Sequence, residues 1–322
     1  MSRCGVGGDL VATIAIIGSG VVGQATGRGL AEWGHDIVFC DRDAAVLATL
    51  RERGERAFAP DELERVHTDL TFVSVSTPTV DGHIHIDALR AAARTAARRL
   101  ALGEYPVIVM RSTAPPGTTA NITIPLLEEE SGLTFGRDFS VCYNPEFLRE
   151  ACALEDFLKP WLVVIGAEDE RGLAALRALY AAALPDVEVV VTDFTTAEMI
   201  KYASNLLNAT KISFTNELWL ACRRLGIDGN EVMAAAAQSA EASWNPAYGI
   251  KGGYPYGGAC LPKDTVAFYA FARSLGLSME LLRSVIDVNE RVAELVQWES
   301  PLARQRGIAP VRTGGATAPA RA

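Results

Sequence analysis

Residues 13–23 read Thr-Ile-Ala-Ile-Ile-Gly-Ser-Gly-Val-Val-Gly, and this stretch decides the fold of the first part of the chain. Residues 13–17 form a continuous apolar, β-branched run, which is typical of a strand buried on both faces of a parallel sheet. The three glycines that follow have the G-x-G-x-x-G spacing, and a helical pattern then covers residues 24–33. Strand, glycine-rich turn and helix in this order predict the first unit of a dinucleotide-binding sheet.

A second predicted strand, residues 36–40, ends at Asp41. This acid lies about 20 positions beyond the first glycine, the distance at which a carboxylate meets the ribose hydroxyls of a bound adenosine. A carboxylate there repels the extra phosphate of NADP, so NAD is the predicted cofactor, although the neighbouring Arg42 suits NADP. The residues predicted to bind the cofactor through this unit are Gly18, Gly20, Val21, Val22, Gly23, Asp41 and Arg42.

Further strands alternate with helical segments along the chain, which predicts an α/β fold with a doubly wound parallel Rossmann sheet. In such sheets ligands bind beyond the carboxyl ends of the strands, so Thr77 and Thr113, which follow two of the strands, are predicted to line the functional rim. The alternative is that these hydroxyls only cap the following helices. The remaining strands are predicted at 70–75, 107–110, 139–143, 161–166 and 187–191.

The pattern changes at residue 195 to long helices, which predicts a second, all-helical domain. Its helices are expected at 195–225, 229–239, 265–275 and 279–300. The predicted organisation is a disordered lead-in at 1–10, a Rossmann domain at 11–194, the helical domain at 195–300 and a flexible tail at 301–322.

Polar side chains interrupt an apolar face of the first long helix. Lys201, Asn205 and Asn208 are spaced i, i+4 and i+7, so they lie on one face among apolar neighbours. One interpretation is hydrogen bonding within a helix interface. The other is a row of donors directed at a substrate oxygen.

Cys260 stands at the end of a glycine-rich loop and directly before a predicted helix. A sulfur at a helix N-terminus beside Lys263 would have its thiolate stabilised by the helix dipole and by the ammonium. The alternative is a buried structural cysteine, because free cysteines are commonly buried.

Composition excludes several classes of function. The 322 residues carry a formal net charge of −9, which argues against nucleic acid or an anionic membrane as partner. The six cysteines have no C-x-x-C pairing and only four histidines occur, so neither a metal site nor a disulfide framework is predicted. Without a signal sequence or an apolar run of about 18 residues, a cytoplasmic protein is expected.

Several separate motifs together resemble one known family, the UDP-glucose, GDP-mannose and UDP-N-acetylmannosamine dehydrogenases, which oxidise a primary alcohol twice. The motifs are Ser-Thr-Pro at 76–78, Ser-Thr-Ala-Pro-Pro-Gly-Thr at 112–118, Asn-Pro-Glu-Phe-Leu-Arg-Glu at 144–150, Lys-Tyr-Ala-Ser-Asn at 201–205, Lys-Ile-Ser-Phe-Thr-Asn-Glu at 211–217 and Gly-Gly-Ala-Cys-Leu-Pro-Lys-Asp at 257–264. The resemblance implies a helical dimerisation domain of the 6-phosphogluconate dehydrogenase type and a homodimer.

The resemblance also implies a role for each residue of the reaction. Cys260 would hold the aldehyde as a thiohemiacetal and then as a thioester. Lys201 with Asn205 would stabilise the oxygen on the reacting carbon, and Asp264, hydrogen-bonded to Thr113, would position a water or accept a proton. Glu146 would activate the water that releases the acid, with a pKa raised by its apolar neighbour Phe147.

Further binding residues follow from the same resemblance. Glu150, Lys263 and the rim threonines Thr77 and Thr113 are expected to contact the cofactor. The residues expected to bind the substrate are Phe147, Leu148, Asn208, Tyr248, Lys251 and Gly257.

Some positions depart from the family pattern. Trp244 stands where the family tends to place an arginine, and the chain stops before the usual second dinucleotide-like domain, which weakens the expected grip on a nucleotide. Three hypotheses follow: oxidation of a nucleotide sugar such as UDP-glucose, the same chemistry on a nucleoside or nucleotide 5′-alcohol or a sugar phosphate, and a non-catalytic NAD-binding dimer. Which sugar or base is bound is left open by the sequence.

Overall fold

The computed structural model describes residues 11–102, 105–239, 252–274 and 279–298. It consists of two compact units, Met1–Ser204 and Asn205–Ala322. The predicted lead-in at 1–10 and tail at 301–322 lie outside the described residues, as do Trp244, Tyr248 and Lys251.

An eight-stranded sheet forms the centre of the first unit, in the order β10-β9-β8-β7-β4-β1-β2-β3. Its strands are β1 (Thr13–Ile17), β2 (Asp36–Cys40), β3 (Arg56–Phe58), β4 (Leu70–Val73), β7 (Val107–Met110), β8 (Ser140–Tyr143), β9 (Val163–Ala167) and β10 (Val189–Thr192), and β5 (Thr79–Val80) and β6 (His83–Ile84) form a separate hairpin. The order reverses between β1 and β4, which is the switch point where doubly wound sheets bind ligands.

The sheet is mostly parallel, as predicted, but its last two strands run the other way. β9 pairs antiparallel with β8, and β10 pairs parallel with β9. An antiparallel neighbour begins at the edge where the preceding strand ends, so the connection after β8 stays at the carboxyl edge instead of crossing the sheet. This connection carries Glu146, Phe147 and Leu148.

The central strands are buried on both faces, which explains their continuous apolar runs. In β1, Ala15 and Ile17 belong to the core on one face, whereas Ile14 and Ile16 belong to the core on the other. Successive side chains of a strand point to opposite faces, so a strand covered on both sides has no position for a polar residue.

The predicted helices are present in the structure, but their first and last residues differ from the predicted ones and the structure contains additional helices. The helix after the glycine-rich turn begins at Val21 rather than at residue 24, and the helix after Cys260 begins at Leu261 rather than at 265. The helices are α1 (Val21–Glu32), α2 (Ala44–Glu52), α3 (Pro60–Leu63), α4 (Asp87–Ala97), α5 (Ile124–Ser131), α6 (Ala153–Leu158), α7 (Glu170–Ala183), α8 (Phe194–Leu225), α9 (Gly229–Ser239), α10 (Leu261–Ser274) and α11 (Glu280–Leu295).

The boundary between the two units falls inside α8, after Ser204, whereas the sequence places the domain boundary at the start of this helix. The first turns of α8 belong to the first unit because Phe194 and Ala197 are fully buried in its core. The secondary-structure elements described in the second unit are all helices, and its small core consists of Ala209, Ile212, Tyr256, Leu261 and Val285. Within the described ranges, no helix is long and apolar enough to cross a membrane.

Candidate functional site

The glycine-rich turn of the first unit is built by its own backbone packing. Gly18 has φ +93°, and a Cβ there would lie 2.5 Å from the carbonyl oxygen of Ser74. A Cβ on Gly23 would lie 1.9 Å from the carbonyl oxygen of Gly18. These two glycines are therefore required by the fold itself, which explains the tight connection between β1 and α1.

Gly20 differs, because a Cβ at this position would meet no atom of the described residues within 4 Å. Gly20 is exposed and precedes the first residue of α1, and no side chain caps this end of the helix. The free N–H groups of a helix N-terminus attract an anion, and an exposed glycine lets a phosphate approach the backbone closely. The space above Gly20 thus fits the pyrophosphate of a dinucleotide, beside the half-buried Val22 and the exposed Val21.

Asp41 lies at the carboxyl end of β2 and is oriented by backbone groups. Its Oδ2 accepts a hydrogen bond of 2.7 Å from the Ser19 N–H, and its Oδ1 accepts one of 3.0 Å from the Asp43 N–H. Carboxylate oxygens accept more than one hydrogen bond each, so the group can also receive ribose hydroxyls. The neighbouring Arg42 is exposed.

The rim threonines are connected across two neighbouring strands. The Thr77 hydroxyl donates a 2.7 Å hydrogen bond to the Thr113 carbonyl, and both residues are buried. Ser112 adds a second connection, since its hydroxyl donates to the Val75 carbonyl at 2.8 Å. The prediction that Thr77 and Thr113 lie at the carboxyl edge of the sheet is confirmed.

Glu146 and Lys201 form a buried ion pair in the first unit. The Lys201 Nζ lies 2.8 Å from Glu146 Oε1, and both side chains are almost completely excluded from solvent. The Leu148 N–H donates to Glu146 Oε2 at 2.6 Å. The sequence predicted both residues as functional, but it gave no sign that they contact each other.

The pKa of Glu146 is shifted against the expectation. Burial is the largest influence and opposes ionisation, but the Lys201 ammonium, the Leu148 N–H and the more distant Arg111 outweigh it and lower the Glu146 pKa below its ordinary value of 4.5. The expected rise from the apolar neighbour Phe147 is therefore wrong. Glu146 is an ionised carboxylate at neutral pH.

Glu198, one turn before Lys201 on α8, is a buried carboxylate that the sequence analysis missed. It accepts hydrogen bonds from the Gly117 N–H, the Thr119 N–H at 2.8 Å and the Thr119 hydroxyl at 2.6 Å. These contacts attach α8 to the loop that follows Thr113. An acid three positions before an inward-facing lysine shares its helix face, and this spacing was the available signal.

Arg111 is a second missed residue. It directly follows β7 and is buried, with its Nη1 donating to the Asn144 side chain and to the Tyr180 hydroxyl at 3.3 Å. The Asn144 Nδ2 in turn donates to the Val164 carbonyl at 2.7 Å. This network holds the start of the loop that carries Glu146. The sequence feature that could have indicated Arg111 is its charge, because a charged residue directly after a buried strand is unusual.

The second unit contains its own buried carboxylate, Asp264. It is fully buried and accepts hydrogen bonds from the Asn205 Nδ2 and, at 2.5 Å, from the Lys263 Nζ. Asn205 is also buried, whereas Asn208 is half-buried on the same helix. Thr113 lies in the first unit and Asp264 in the second, so their predicted hydrogen bond stays a prediction.

Cys260 occupies the position before the first residue of α10. Its carbonyl accepts the Asp264 N–H at 2.8 Å, which is the first hydrogen bond of the helix, and its side chain is half-buried. The prediction of a cysteine at a helix N-terminus, rather than deep in a core, is confirmed. Gly257, in the same loop, is half-buried, and a Cβ there would lie at an ordinary contact distance of 3.6 Å from Trp298.

The other predicted binding residues lie on the loop after β8 or outside the described residues. Phe147 and Leu148 are half-buried, and the Phe147 ring lies 5.3 Å from that of the exposed Trp161. Glu150 is exposed at the start of a short 3₁₀ turn. Tyr248 and Lys251 belong to the residues that the structure does not describe.

The chemistry available in each unit follows from these groups. The first unit offers an ionised carboxylate next to an ammonium, and the second offers a half-buried thiol one turn from a carboxylate. Among the described residues, no group of three or more His, Cys, Asp or Glu could hold a metal ion. Within the second unit, a thiol close to a carboxylate suits acyl chemistry at a carbonyl carbon.

Comparison with known proteins extends this description. Residues 57–184 match the NAD binding domain of the UDP-glucose/GDP-mannose dehydrogenase family, and residues 195–291 match the central domain of that family. Residues 13–90 also match the description "NADP oxidoreductase coenzyme F420-dependent". All three matches describe an oxidoreductase or one of its domains.

Individual relatives agree with these matches. A UDP-glucose 6-dehydrogenase of Haloferax volcanii is 36% identical, over 88% of this chain and 72% of the relative. A GDP-mannose 6-dehydrogenase of Pseudomonas syringae pv. tomato is 36% identical, over 86% of this chain and 67% of the relative. The structure of a UDP-glucose dehydrogenase from Pyrobaculum islandicum is similar with a TM-score of 0.80 and 36% identity, covering 93% of this chain and 72% of that one.

The sheet, the open glycine turn and the oriented Asp41 define the first unit as a dinucleotide-binding fold, and the family matches make the chain an oxidoreductase. It belongs to the UDP-glucose/GDP-mannose dehydrogenase family, and its cofactor is NAD. Asp41 agrees with this cofactor, because its carboxylate would repel the 2′-phosphate of NADP.

Proposed function

We propose that this chain oxidises the C6 primary alcohol of a nucleotide sugar such as UDP-glucose to the carboxylate, with Cys260 as the covalent carrier. Each turnover consumes one alcohol, two NAD and one water, and it releases the carboxylate, two NADH and three protons. The observation that carries the proposal is the place of Cys260, half-buried at the N-terminus of α10 and one turn from the buried Asp264. The 6-dehydrogenase relatives support the reaction class.

NAD, when bound, accepts the hydride that leaves the reacting carbon in each of the two oxidations. Its pyrophosphate would lie at Gly20 and the N-terminus of α1, and its adenosine ribose at Asp41. We assign further cofactor contacts to Thr77, Thr113, Glu150 and Lys263.

In the first oxidation the substrate hydroxyl must lose its proton as the carbon loses its hydride. This proton is accepted by the Asp264 carboxylate or by a water bound to it, and Asn205 orients the carboxylate. Lys201 and Asn205 lie one turn apart on α8 and would stabilise the negative charge that develops on the oxygen. The product of this step is an aldehyde.

Cys260 then prevents release of the aldehyde. Its thiolate forms a carbon–sulfur bond to the aldehyde carbon, and the oxygen takes up a proton, which gives a thiohemiacetal. The second oxidation removes a hydride from this carbon and the proton from its oxygen, which leaves a thioester. The helix N-terminus stabilises the thiolate before attack and again when it departs.

Glu146 is assigned to the hydrolysis of the thioester. Because its pKa is lowered by Lys201 despite burial, it is ionised and able to accept a proton from the attacking water at neutral pH. Water adds to the thioester carbon, the carbon–sulfur bond breaks, and Cys260 is restored. The residues assigned to substrate binding are Phe147, Leu148, Asn208, Tyr248, Lys251 and Gly257.

The proposal includes a homodimer and a cytoplasmic location. We assign a homodimer to the helical unit, where Leu207, Leu281 and Leu295 are apolar and about half or more exposed. Such a dimer would work in the cytoplasm, where thiols stay reduced. Light scattering of the purified chain measures its mass in solution, and a monomer at micromolar concentration contradicts this assignment.

The experiment that tests the function is a mass measurement after incubation with NAD and candidate alcohols. We expect two NADH per alcohol and, on quenching, an acyl adduct on Cys260. Cys260→Ala should form no carboxylate, whereas Cys152→Ala, which changes another half-buried cysteine, should behave like the parent. Carboxylate and two NADH from Cys260→Ala would show that the covalent route is wrong.

The same assay compares substrates. UDP-glucose and GDP-mannose are tested first, because one relative with 36% identity is named for UDP-glucose and another for GDP-mannose. Nucleosides, nucleotides and sugar phosphates are the alternatives. A higher kcat/KM for one of these than for any nucleotide sugar would move the substrate assignment while leaving the chemistry intact.

A further inference from the structure

The loop that leads to Cys260 is held by asparagine side chains from helices distant in sequence. Asn216, fully buried on α8, accepts the Gly253 N–H at 2.8 Å and donates to the Tyr254 carbonyl at 2.9 Å. Asn289 on α11 accepts the Tyr256 N–H at 2.7 Å and donates to the Tyr256 carbonyl at 3.1 Å. Each amide therefore satisfies one donor and one acceptor of the loop backbone.

A third asparagine holds the beginning of the same segment. Asn230, exposed on α9, accepts the Gly252 N–H at 3.0 Å. Residues 252–256 thus receive five side-chain hydrogen bonds, although they belong to no helix or strand. Backbone groups in regular elements bond to each other, so this loop relies on side chains to replace those partners.

Packing restricts the loop further. A Cβ on Gly252 would lie 2.2 Å from the Trp219 side chain, and Gly253 has φ +78°, so both positions admit only glycine. Tyr256 inserts into the small core between α8, α10 and α11, and its burial raises its pKa to about 12. The segment is therefore fixed at both ends by parts of one compact unit.

We propose that Asn216 and Asn289 are positioning residues for Cys260. By fixing residues 252–256 to α8 and α11, they hold the loop so that the thiol stands at the N-terminus of α10 before any substrate binds. A reacting group displaced by about 1 Å can slow a reaction 100-fold, so the position of the loop has a direct kinetic meaning. This inference rests on the proposed role of Cys260.

The test is the alkylation of Cys260 by iodoacetamide, measured at the level of the peptide by mass over a range of pH without cofactor or substrate. Asn289→Leu and Asn216→Leu remove both hydrogen bonds of an amide while keeping the number and branching of its side-chain heavy atoms. We expect the pH profile of Cys260 alkylation to move to higher pH, because the thiolate loses its fixed place at the helix N-terminus. The kcat should fall about 10- to 100-fold, while the KM for NAD changes less than about twofold.

Two further variants separate positioning from folding. Asn289→Asp keeps the acceptor for the Tyr256 N–H and should restore part of the alkylation profile and of kcat. Thr215→Val is the matched control, because Thr215 is equally buried beside Asn216 but its hydroxyl donates only to its own helix, to the Lys211 carbonyl at 2.9 Å. It should change neither quantity. If Asn216→Leu does not fold, the exposed Asn230→Ala tests the same loop with a smaller change of the same sign.

The outcomes are distinct. An unchanged alkylation profile and kcat in Asn289→Leu, with a lowered thermal midpoint, would show a purely structural role and overturn the inference. A shifted alkylation profile in Asn289→Leu together with full activity of Cys260→Ala would instead reject the proposed function, since the alkylation assay does not depend on turnover.

Discussion

Glu146 and Glu198 are two buried carboxylates in the same unit whose pKa values move in opposite directions. Glu146 contacts an ammonium, Lys201, and its pKa is lowered although burial opposes ionisation. Among the described residues, the hydrogen-bond donors to Glu198 are neutral groups of Gly117 and Thr119, and burial raises its pKa despite them. At Glu146 the full positive charge in contact outweighs the loss of water around the carboxylate, whereas at Glu198 the N–H and O–H donors do not.

The difference agrees with the roles of the two groups. An ionised Glu146 suits the acceptance of a proton from water, as proposed above. Glu198 has all its strong contacts directed at the loop of residues 117–119, so it attaches this loop to α8. In the proposed mechanism, chemistry and anchoring are therefore divided between two acids that differ mainly in the charge of their partner.

Removal of the charged partner should have the largest effect. Lys201→Met leaves the Glu146 carboxylate buried without its cation, and we expect a loss of about 3–5 kcal/mol in the free energy of unfolding at neutral pH. Urea unfolding measures it. The double variant with Glu146→Leu should regain much of the loss, because no charge then remains buried, but it should stay inactive.

An exposed ion pair provides the control for this experiment. Arg94 and Glu130 are 2.8 Å apart on the surface of the first unit, and both are partly exposed. Arg94→Met should lower stability by less than about 1 kcal/mol. If Lys201→Met were as mild as Arg94→Met, the ammonium would not be what keeps Glu146 ionised, and the contrast with Glu198 would fail.

Replacement of Glu198 by its amide should have a smaller effect. In Glu198→Gln one acceptor oxygen becomes an NH2 group that faces the N–H donor of either Gly117 or Thr119, which leaves a buried donor unsatisfied. We expect a loss of about 1–3 kcal/mol by urea unfolding. Because Glu198 anchors the loop after Thr113, kcat should fall while two NADH are still formed per alcohol. A stabilised Glu198→Gln would contradict the anchoring role.

Asp264 is a third buried carboxylate, and its ammonium partner differs from that of Glu146. Its ammonium partner, Lys263, is 18% exposed, and Asn205 supplies a further hydrogen bond. The carboxylate also lies in the first turn of α10, where the helix dipole favours negative charge. Lys263→Met should therefore lower stability by about 1–2 kcal/mol, less than Lys201→Met, because Asp264 keeps other compensation. An equal loss in the two variants would show that charge alone, not its surroundings, sets the effect.

The sequence predicted the parts of this molecule that depend on local patterns. β1, the glycine turn and Asp41 follow from residues close together in the chain, and the position of Cys260 before a helix follows from the glycine-rich loop. The family resemblance supplied Glu146 and Lys201 as functional residues. The fold class was thus available without the structure, as were most of the residues that are proposed to form the site.

The missed features depend on contacts between residues far apart in sequence. Glu198 was unnoticed because its partners lie some 80 positions earlier, and Asn216 and Asn289 because their loop has no pattern that indicates side-chain partners. The pKa of Glu146 was wrongly expected to rise because only its neighbour in sequence, Phe147, was visible. A pKa depends on what surrounds a group in space, and a sequence gives only what precedes and follows it.

The pH dependence of stability is the smallest effect and the most direct test of the comparison. A carboxylate with a lowered pKa contributes stability that is present above its ordinary value of 4.5 and is lost as the pH falls through its folded pKa, which applies to Glu146. For a carboxyl group with a raised pKa, the contribution to folding stability is most favourable below its ordinary pKa of 4.5 and is lost as the pH rises through its folded pKa. This case applies to Glu198.

The two variants should therefore diverge with pH. Glu146→Gln should lose more stability relative to the parent at pH 7 than at pH 4, because only the ionised parent gains from Lys201. Glu198→Gln should lose more at pH 4 than at pH 7, because the parent carboxyl is then protonated and free of the desolvation penalty. Urea unfolding of the three proteins at both pH values measures these differences. Parallel curves for the two variants would mean that the charge of the partner does not distinguish the two acids, and the division between chemistry and anchoring would lose its physical basis.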